Sequence, residues 1–272
     1  MYRKRFGLTH HPLPKDCRSK TFFAAQPGYE RLARRFRQLV EEPGLGVLTS
    51  EPGVGKTAAM RNLCGELPQP DHLVLYLCDT AVAPLDLYRT LAVELGVRPS
   101  HRRAQLWSDI KSALVHMVDE RAISPIVILD EAQHLSDLFL ADLSGFLNFA
   151  FDSRDLLTLW LVGLTPLATR LRMQHHAALA MRVATHVHLE PLGRESFAAL
   201  IEHGLQAAGA QQKLLSDPAL ELLFRTSRGV PRVAGRLLRT ALRLAHEREQ
   251  SFVDEHVLET AIDELAPQAV PQ

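Results

Sequence analysis

Ser50-Glu51-Pro52-Gly53-Val54-Gly55-Lys56-Thr57, followed by Ala58, is the stretch that decides the fold. An apolar run, Gly46–Thr49, leads into it, and a helical pattern starts at Lys56. Strand, glycine-rich loop and helix in that order make a phosphate cradle. The glycines let backbone N–H groups curl around an anion at a helix N-terminus, where the helix dipole favours negative charge. Lys56 is placed to reach β- and γ-phosphates, and the Thr57 hydroxyl to ligate Mg²⁺. The loop departs from the usual pattern at its first position, where Ser50 replaces a glycine. Serine enters left-handed backbone less freely than glycine, so weaker nucleotide affinity is the most that the replacement is expected to cause.

Working outward, strands and helices alternate. Leu73–Cys78, Ile126–Leu129, Leu156–Val162 and Val183–Leu189 read as further strands. Helical patterns cover Pro84–Leu95, Ala104–Val118 and a stretch near Leu138–Phe149. Thr165-Pro166 reads as an N-cap and first-turn pair for another helix. This order, with short connections, predicts an α/β fold with a doubly wound, parallel, five-stranded sheet. Beyond Pro191 the strands stop, and Ser196–Ala208, Pro218–Thr226, Pro231–Arg248 and Asp254–Leu265 are helical, with Asp217-Pro218 as a cap pair. The expected organisation is an N-terminal basic arm over 1–28, a core over 29–190, a small all-helical lid over 191–266 and a tail over 267–272. The arm is expected to be irregular because Pro12, Pro14, Pro27 and Gly28 interrupt it. An amphipathic helix with Leu32, Phe36, Leu39 and Val40 on one face follows it.

A second motif is Ile126-Val127-Ile128-Leu129-Asp130-Glu131. A buried strand delivers two carboxylates to its C-terminal end, about seventy residues after the phosphate loop. Asp130 is the candidate for holding Mg²⁺, and Glu131 for polarising the attacking water as a general base. ATP and Mg²⁺ are therefore the expected ligands.

Acidic and basic residues balance at 31 each in the 272-residue chain, so there is no global basic signal for nucleic acid. The bases crowd the first forty residues, with Arg3, Lys4, Arg5, Lys15, Arg18 and Lys20 among them, and acids gather toward the C-terminus. Cys17, Cys64 and Cys78 lack metal or disulfide spacing and fit a reducing cytoplasm. The basic, proline-containing N-terminus does not resemble a signal peptide, and no run approaches the ~18 apolar residues of a membrane span. The expectation is a cytoplasmic protein. His175-His176 and the pair His186 and His188 show no carboxylate or cysteine at useful spacing, so structural roles are expected for them.

From about Phe22 to Leu265 the chain resembles the AAA+ ATPases. Met181-Arg182-Val183 opens the fifth strand where branch-migration motors of that class place an arginine finger. Ser227-Arg228-Gly229-Val230-Pro231-Arg232 is similar to their "sensor 2" segment and to that of the initiator clade. The resemblance implies that Arg182 contacts the γ-phosphate in a neighbouring copy, and that Arg232 contacts nucleotide in its own subunit from the lid. It also implies a polar "sensor 1" just past the fourth strand. Leu164 is apolar there, which leaves Thr165 as the near candidate and Asn148 as a second. Asp79, after the second strand, is a candidate for sensing nucleotide through Glu131.

Phe6-Gly7-Leu8 with Pro12, ahead of a compact ATPase and lid, resembles ExeA-like ATPases and the related TnsC/TniB-type transposition helpers. ExeA-type secretion proteins carry a membrane segment and a wall-binding region after the ATPase; the sequence ends at Gln272 with neither, and without a winged helix. The expectation is an oligomeric ATPase, ring or filament, that binds DNA and signals to a transposase. Its alternatives are a secretion-associated ATPase without DNA binding, and a nucleotide-dependent binding switch with little turnover. By the resemblance, the region after the second strand faces DNA, which singles out His101, Arg102, Arg103 and Lys111, with the Arg3-Lys4-Arg5 arm as a further candidate.

Overall fold

The computed structural model describes residues 2–17 and 21–265. The predicted tail and the arm residues Arg18 and Lys20 lie outside the described residues. Along the chain the elements are α1 (Tyr2–Arg5), α2 (Pro27–Glu41), β1 (Leu45–Ser50), α3 (Lys56–Gly65), β2 (His72–Leu77), α4 (Pro84–Glu94) and α5 (Arg103–Asp119). They continue with β3 (Ser124–Leu129), α6 (Asp137–Phe146), β4 (Thr158–Leu164), α7 (Thr165–Leu171), α8 (Ala177–Ala180), β5 (Val183–Leu189), α9 (Arg194–Ala207), α10 (Asp217–Ser227), α11 (Pro231–Glu247) and α12 (Glu255–Leu265). Short 3₁₀ turns occupy Ala132–His134 and Gln174–His176. The described residues form two compact units: 27–52 with 59–189, and 2–17 and 21–26 with 53–58 and 190–265.

The first of these units holds the sheet, in the order β2-β3-β4-β1-β5. Every pairing is parallel, with Leu77 opposite Leu129, Leu129 opposite Leu161, Ser50 opposite Leu164 and Ser50 opposite Leu189. β1 is buried along its whole length, and β3 from Pro125 onward, which is why both read as unbroken apolar runs. Helices supply the covering layers. On α5, Leu106, Ile110 and Leu114 recur every fourth residue and are fully buried. Tyr88 of α4 meets the rings of Trp107, Phe139 and Phe146 with centroids 5.0–5.4 Å apart. α6 starts at a true cap, where the Ser136 hydroxyl accepts the Phe139 N–H at 3.1 Å.

Because all five strands run one way, Ser50, Leu77, Leu129, Leu164 and Leu189 finish at one edge of the sheet. Open α/β sheets place their ligands outside that edge. Only β4 separates the end of β1 from the end of β3.

The other unit is built on α9–α12. Its core includes Phe197, Leu223, Leu238, Leu242 and Leu258. The arm is less irregular than its prolines suggest: it forms α1, and Tyr2, Phe6 and Leu8 are buried in this helical core. Arg5 donates to the carbonyls of Gln250, at 2.9 Å, and Glu249, and Arg3 to that of Thr9. The α10 cap differs from the expected Asp217-Pro218 pair: the Ser216 hydroxyl accepts the Ala219 N–H at 3.2 Å, and Asp217 is already helical.

Candidate functional site

β3 hands over directly to the two acids. Asp130 is buried, its N–H donating to the Leu77 carbonyl at 2.8 Å across the β2–β3 seam. Its two carboxylate oxygens are separately engaged. Oδ1 accepts the Glu131 N–H at 2.9 Å, and Oδ2 accepts the Tyr76 hydroxyl at 2.8 Å. Burial and that bond to a carboxylate push the Tyr76 phenol well above its ordinary range. Glu131 adopts left-handed backbone, φ 53°. For a non-glycine residue this costs of order 1 kcal/mol and persists only where surroundings enforce it. Here Asp130 holds its N–H and the Thr80 hydroxyl holds its carbonyl at 2.8 Å. The bend turns the chain out of β3 and leaves Glu131 exposed at the sheet edge.

Sequence reasoning missed the residue that holds the Glu131 side chain. Gln133 Nε2 donates to Glu131 Oε2 at 2.6 Å, while Gln133 Oε1 accepts the Leu164 N–H at 2.9 Å. The Arg170 guanidinium, from α7, donates to the carbonyls of Gln133 and Leu135 at 2.8 Å and to Asp137 Oδ1 at 2.6 Å. Segment 131–137 is thus pinned to β4 and α7 at several points. The available sequence signal was the pairing of Gly163 with the apolar Leu164, where a polar side chain was expected.

In the phosphate loop, Gly53 and Gly55 have φ of +84° and +119°, and Lys56 is buried. Gly53 lies against the start of α11: its carbonyl accepts the Arg232 N–H at 3.2 Å. A methyl group on Gly53 would stand 2.9 Å from Arg232 Cβ and 3.1 Å from Val230 Cγ1. Ser50 is fully buried as the last residue of β1, its hydroxyl donating to the Glu51 carbonyl at 2.8 Å.

Thr165 is not the cap of α7 but its first residue, Leu164 being the cap; its hydroxyl donates to the Glu51 carboxylate at 2.8 Å. Asn148 Oδ1 accepts the Asp152 N–H. Asp79 is exposed, and the neighbouring Thr80 is what reaches Glu131. Arg182, just before β5, donates to Asp152 Oδ1 at 2.6 Å. His101 and Arg102 are exposed at the entry to α5. Arg103 instead pairs with Asp142 at 2.7 Å and lies 4.3 Å over the Trp107 ring. Lys111 donates to the carbonyls of Gly145 and Asn148, and burial, then Arg182, lowers its pKa. His186 and His188 both meet the Thr49 hydroxyl, at 2.9 and 3.0 Å. Against the sequence expectation, a carboxylate does reach His175-His176: Asp137 Oδ1 lies 2.9 Å from His176 Nε2. That oxygen also carries the Arg170 guanidinium, which makes the group an ion-pair cluster rather than a cation site.

The sheet order, the glycine-rich loop between β1 and α3, and the acids closing β3 define the α/β P-loop fold of the AAA+ class. Residues 37–171 match the family described as AAA domain. General secretion pathway protein A of Aeromonas hydrophila is 30% identical over 250 residues, which is 91% of this chain. The chain spans 45% of that relative's length. Among solved structures, Cdc6p from Pyrobaculum aerophilum superposes with a TM-score of 0.68 at 16% identity, over 97% of this chain and 71% of its own. A chain of Drosophila ORC bound to DNA gives 0.68 at 17% identity, over 98% and 66%. At these identities the two structures establish the fold alone.

Proposed function

We propose that this protein is a Mg²⁺-dependent ATPase whose general base is Glu131. The observation that carries the reading is the Asp130–Glu131 pair. A buried acid is fixed by Tyr76, and its neighbour is turned out at the C-terminal edge of β3, with β4 between it and the strand that feeds the phosphate loop. The Thr57 hydroxyl and Asp130 carboxylate are hard oxygen donors, the set Mg²⁺ takes beside phosphate oxygens. When bound, the ion neutralises charge on the phosphates. Lys56 neutralises more of it, and the N–H groups from Gly53 to Ala58 cradle the phosphates. Glu131 takes the proton of the attacking water. Arg232 reads the nucleotide from its own lid, and Arg182 from a neighbouring copy stabilises the transferring phosphoryl group, as a planar guanidinium does well. Phosphate release by wild-type protein, Lys56→Ala and Glu131→Gln tests this. Lys56→Ala should lose nucleotide binding, and Glu131→Gln should bind and not turn over. Equal turnover in wild type and Glu131→Gln rejects the assignment.

What the ATPase drives is a second level of the proposal. The 30% identity to a secretion-pathway protein favours an energy-transducing role in secretion. Binding DNA and signalling to a transposase rests on the motif resemblance, and on a fold shared with ORC, one structure of which is bound to DNA. DNA would meet exposed His101 and Arg102, since Arg103 and Lys111 already have partners inside the chain. Turnover measured with and without duplex DNA separates these roles: stimulation supports the transposition-helper reading, and basal turnover indifferent to DNA supports secretion. Nucleotide binding without turnover would make the protein a switch.

A further inference from the structure

Leu164, the last residue of the fourth strand, is apolar, and the space above Gly163 is filled from elsewhere. A methyl group on Gly163 would stand 2.8 Å from Gln133 Oε1 and 3.2 Å from the Gln133 backbone nitrogen. The glycine leaves a gap, and the Gln133 amide occupies it. One end of that amide is fixed to the strand backbone through the Leu164 N–H; the other donates to Glu131 Oε2. The Gln133 carbonyl is gripped in turn by Arg170. The amide is half-buried and anchored at both ends, whereas Glu131 itself is exposed.

We infer that Gln133 is a positioning residue for hydrolysis: it fixes the Glu131 carboxylate toward the water through β4, with Gly163 as the gap that admits it. This deepens the ATPase reading and rests on it. An N–H donated to a carboxylate is a charge-assisted bond, short and directional, as the 2.6 Å separation is. It sets which oxygen is tied and which remains open to accept a proton. An exposed glutamate without such a bond samples several rotamers, and misplacement of the base by about 1 Å can cost ~10²-fold in rate.

The test is steady-state ATP turnover with nucleotide affinity measured separately, in wild type, Gln133→Met, Gln133→Glu and Gly163→Ala. Gln133→Met keeps the volume and removes the donor. Gln133→Glu keeps the acceptor for Leu164 N–H but sets a carboxylate against Glu131. Removing an outer-shell partner of this kind costs about 10- to 100-fold in activity. That loss is expected in kcat, with KM and nucleotide affinity unchanged, and Gln133→Glu should be at least as slow as Gln133→Met. Gly163→Ala should reproduce the defect by displacing the amide. Its combination with Gln133→Met should be no slower than the worse single variant, because both act on one contact. Thermal unfolding of each variant separates loss of fold from loss of positioning. If Gln133→Met turns over at the wild-type rate or faster, the positioning role is overturned and the ATPase reading stands. Equal reductions from Gly163→Ala and Gln133→Met that multiply in the double variant also overturn it. Absence of any Glu131-dependent turnover in wild type overturns both.

Discussion

The Gly53 carbonyl accepts the backbone N–H of Arg232 at 3.2 Å. Arg232 follows Pro231, the first residue of α11, so its N–H is among the donors that every helix start leaves without an intrahelical partner. Proline removes one of those donors, and the phosphate loop satisfies the next. The loop thereby uses a carbonyl, not an N–H, to hold the helix, which keeps its N–H groups available for the phosphate role proposed above.

Gly53→Ala should therefore be costly on two counts. Left-handed φ is strained for alanine, and the new methyl would stand 2.9 Å from Arg232 Cβ. Overpacking of this kind typically costs about 1–3 kcal/mol. The expected outcome is a lowered unfolding midpoint together with weakened nucleotide binding. Wild-type stability and affinity in Gly53→Ala would show that the loop adopts another conformation.

The capping of α10 gives a stability prediction with an internal control. Ser216→Ala removes the hydroxyl that accepts the Ala219 N–H and should cost about 1 kcal/mol. Asp217→Ala removes a first-turn charge and its exposed ion pair with Lys213, both screened by salt, and should cost less, about 0.3–1 kcal/mol. Urea denaturation at low and high salt distinguishes the two, and a larger loss from Asp217→Ala would restore it as the cap.

These two cases mark where the sequence was legible. Parallel strands buried on both faces leave unbroken apolar runs, so β1, β3 and β4 could be located to within about two residues. The loop and the acids at the end of β3 were legible because their spacing to a strand is local. Caps slipped by one residue at Ser216 and Leu164, since Ser-Asp-Pro and Leu-Thr-Pro each offer two starts to the helix. The hold of Gln133 on Glu131 was invisible for another reason. It depends on the gap at Gly163 in a different strand, and no periodicity links those positions. Asp137 reaching His176 is likewise a tertiary contact. Burial of Tyr2 and Phe6 was masked by the prolines, which describe the backbone and not what the side chains cover.

Acid stability should report the Asp137 cluster. The hydrogen bond from Arg170, and then that from His176, holds the Asp137 carboxyl down at about 2, below its ordinary 3.8. A depressed carboxyl contributes stability that is fully present well above 3.8 and is lost as pH falls through about 2. Asp137→Asn should lower stability at pH 6 and flatten the decline between pH 5 and pH 2. Unfolding midpoints across that window check it. Parallel wild-type and Asp137→Asn curves would show that the cluster does not couple to folding.

Arg182 is the residue whose observed contact and proposed role differ most. In this chain it is bound to Asp152 at 2.6 Å, yet a trans role requires it to meet the nucleotide of a neighbouring copy. Asp152 ends a run in which Ala150, Phe151 and Asp152 all have positive φ, at 48°, 57° and 63°. Phe151 is fully exposed there, as is most of Met181 beside Arg182. If Arg182 acts in trans, assembly must break its pair with Asp152. With the Arg182 side chain 23% and the Asp152 side chain 53% exposed, the pair is still screened by solvent and is worth about 1 kcal/mol, so the contact would restrain the arginine without locking it. Asp152→Asn keeps a side chain that tolerates left-handed backbone and removes the charge. It should raise turnover per subunit at limiting protein concentration by no more than about fivefold. Arg182→Ala should lose ~10³-fold or more, the usual value of a finger supplied by a neighbour. Mixing Arg182→Ala with Glu131→Gln under subunit exchange should then restore hydrolysis, because some interfaces pair an intact base with an intact finger. Mixtures that never exceed either variant alone would assign Arg182 to its intramolecular pair with Asp152.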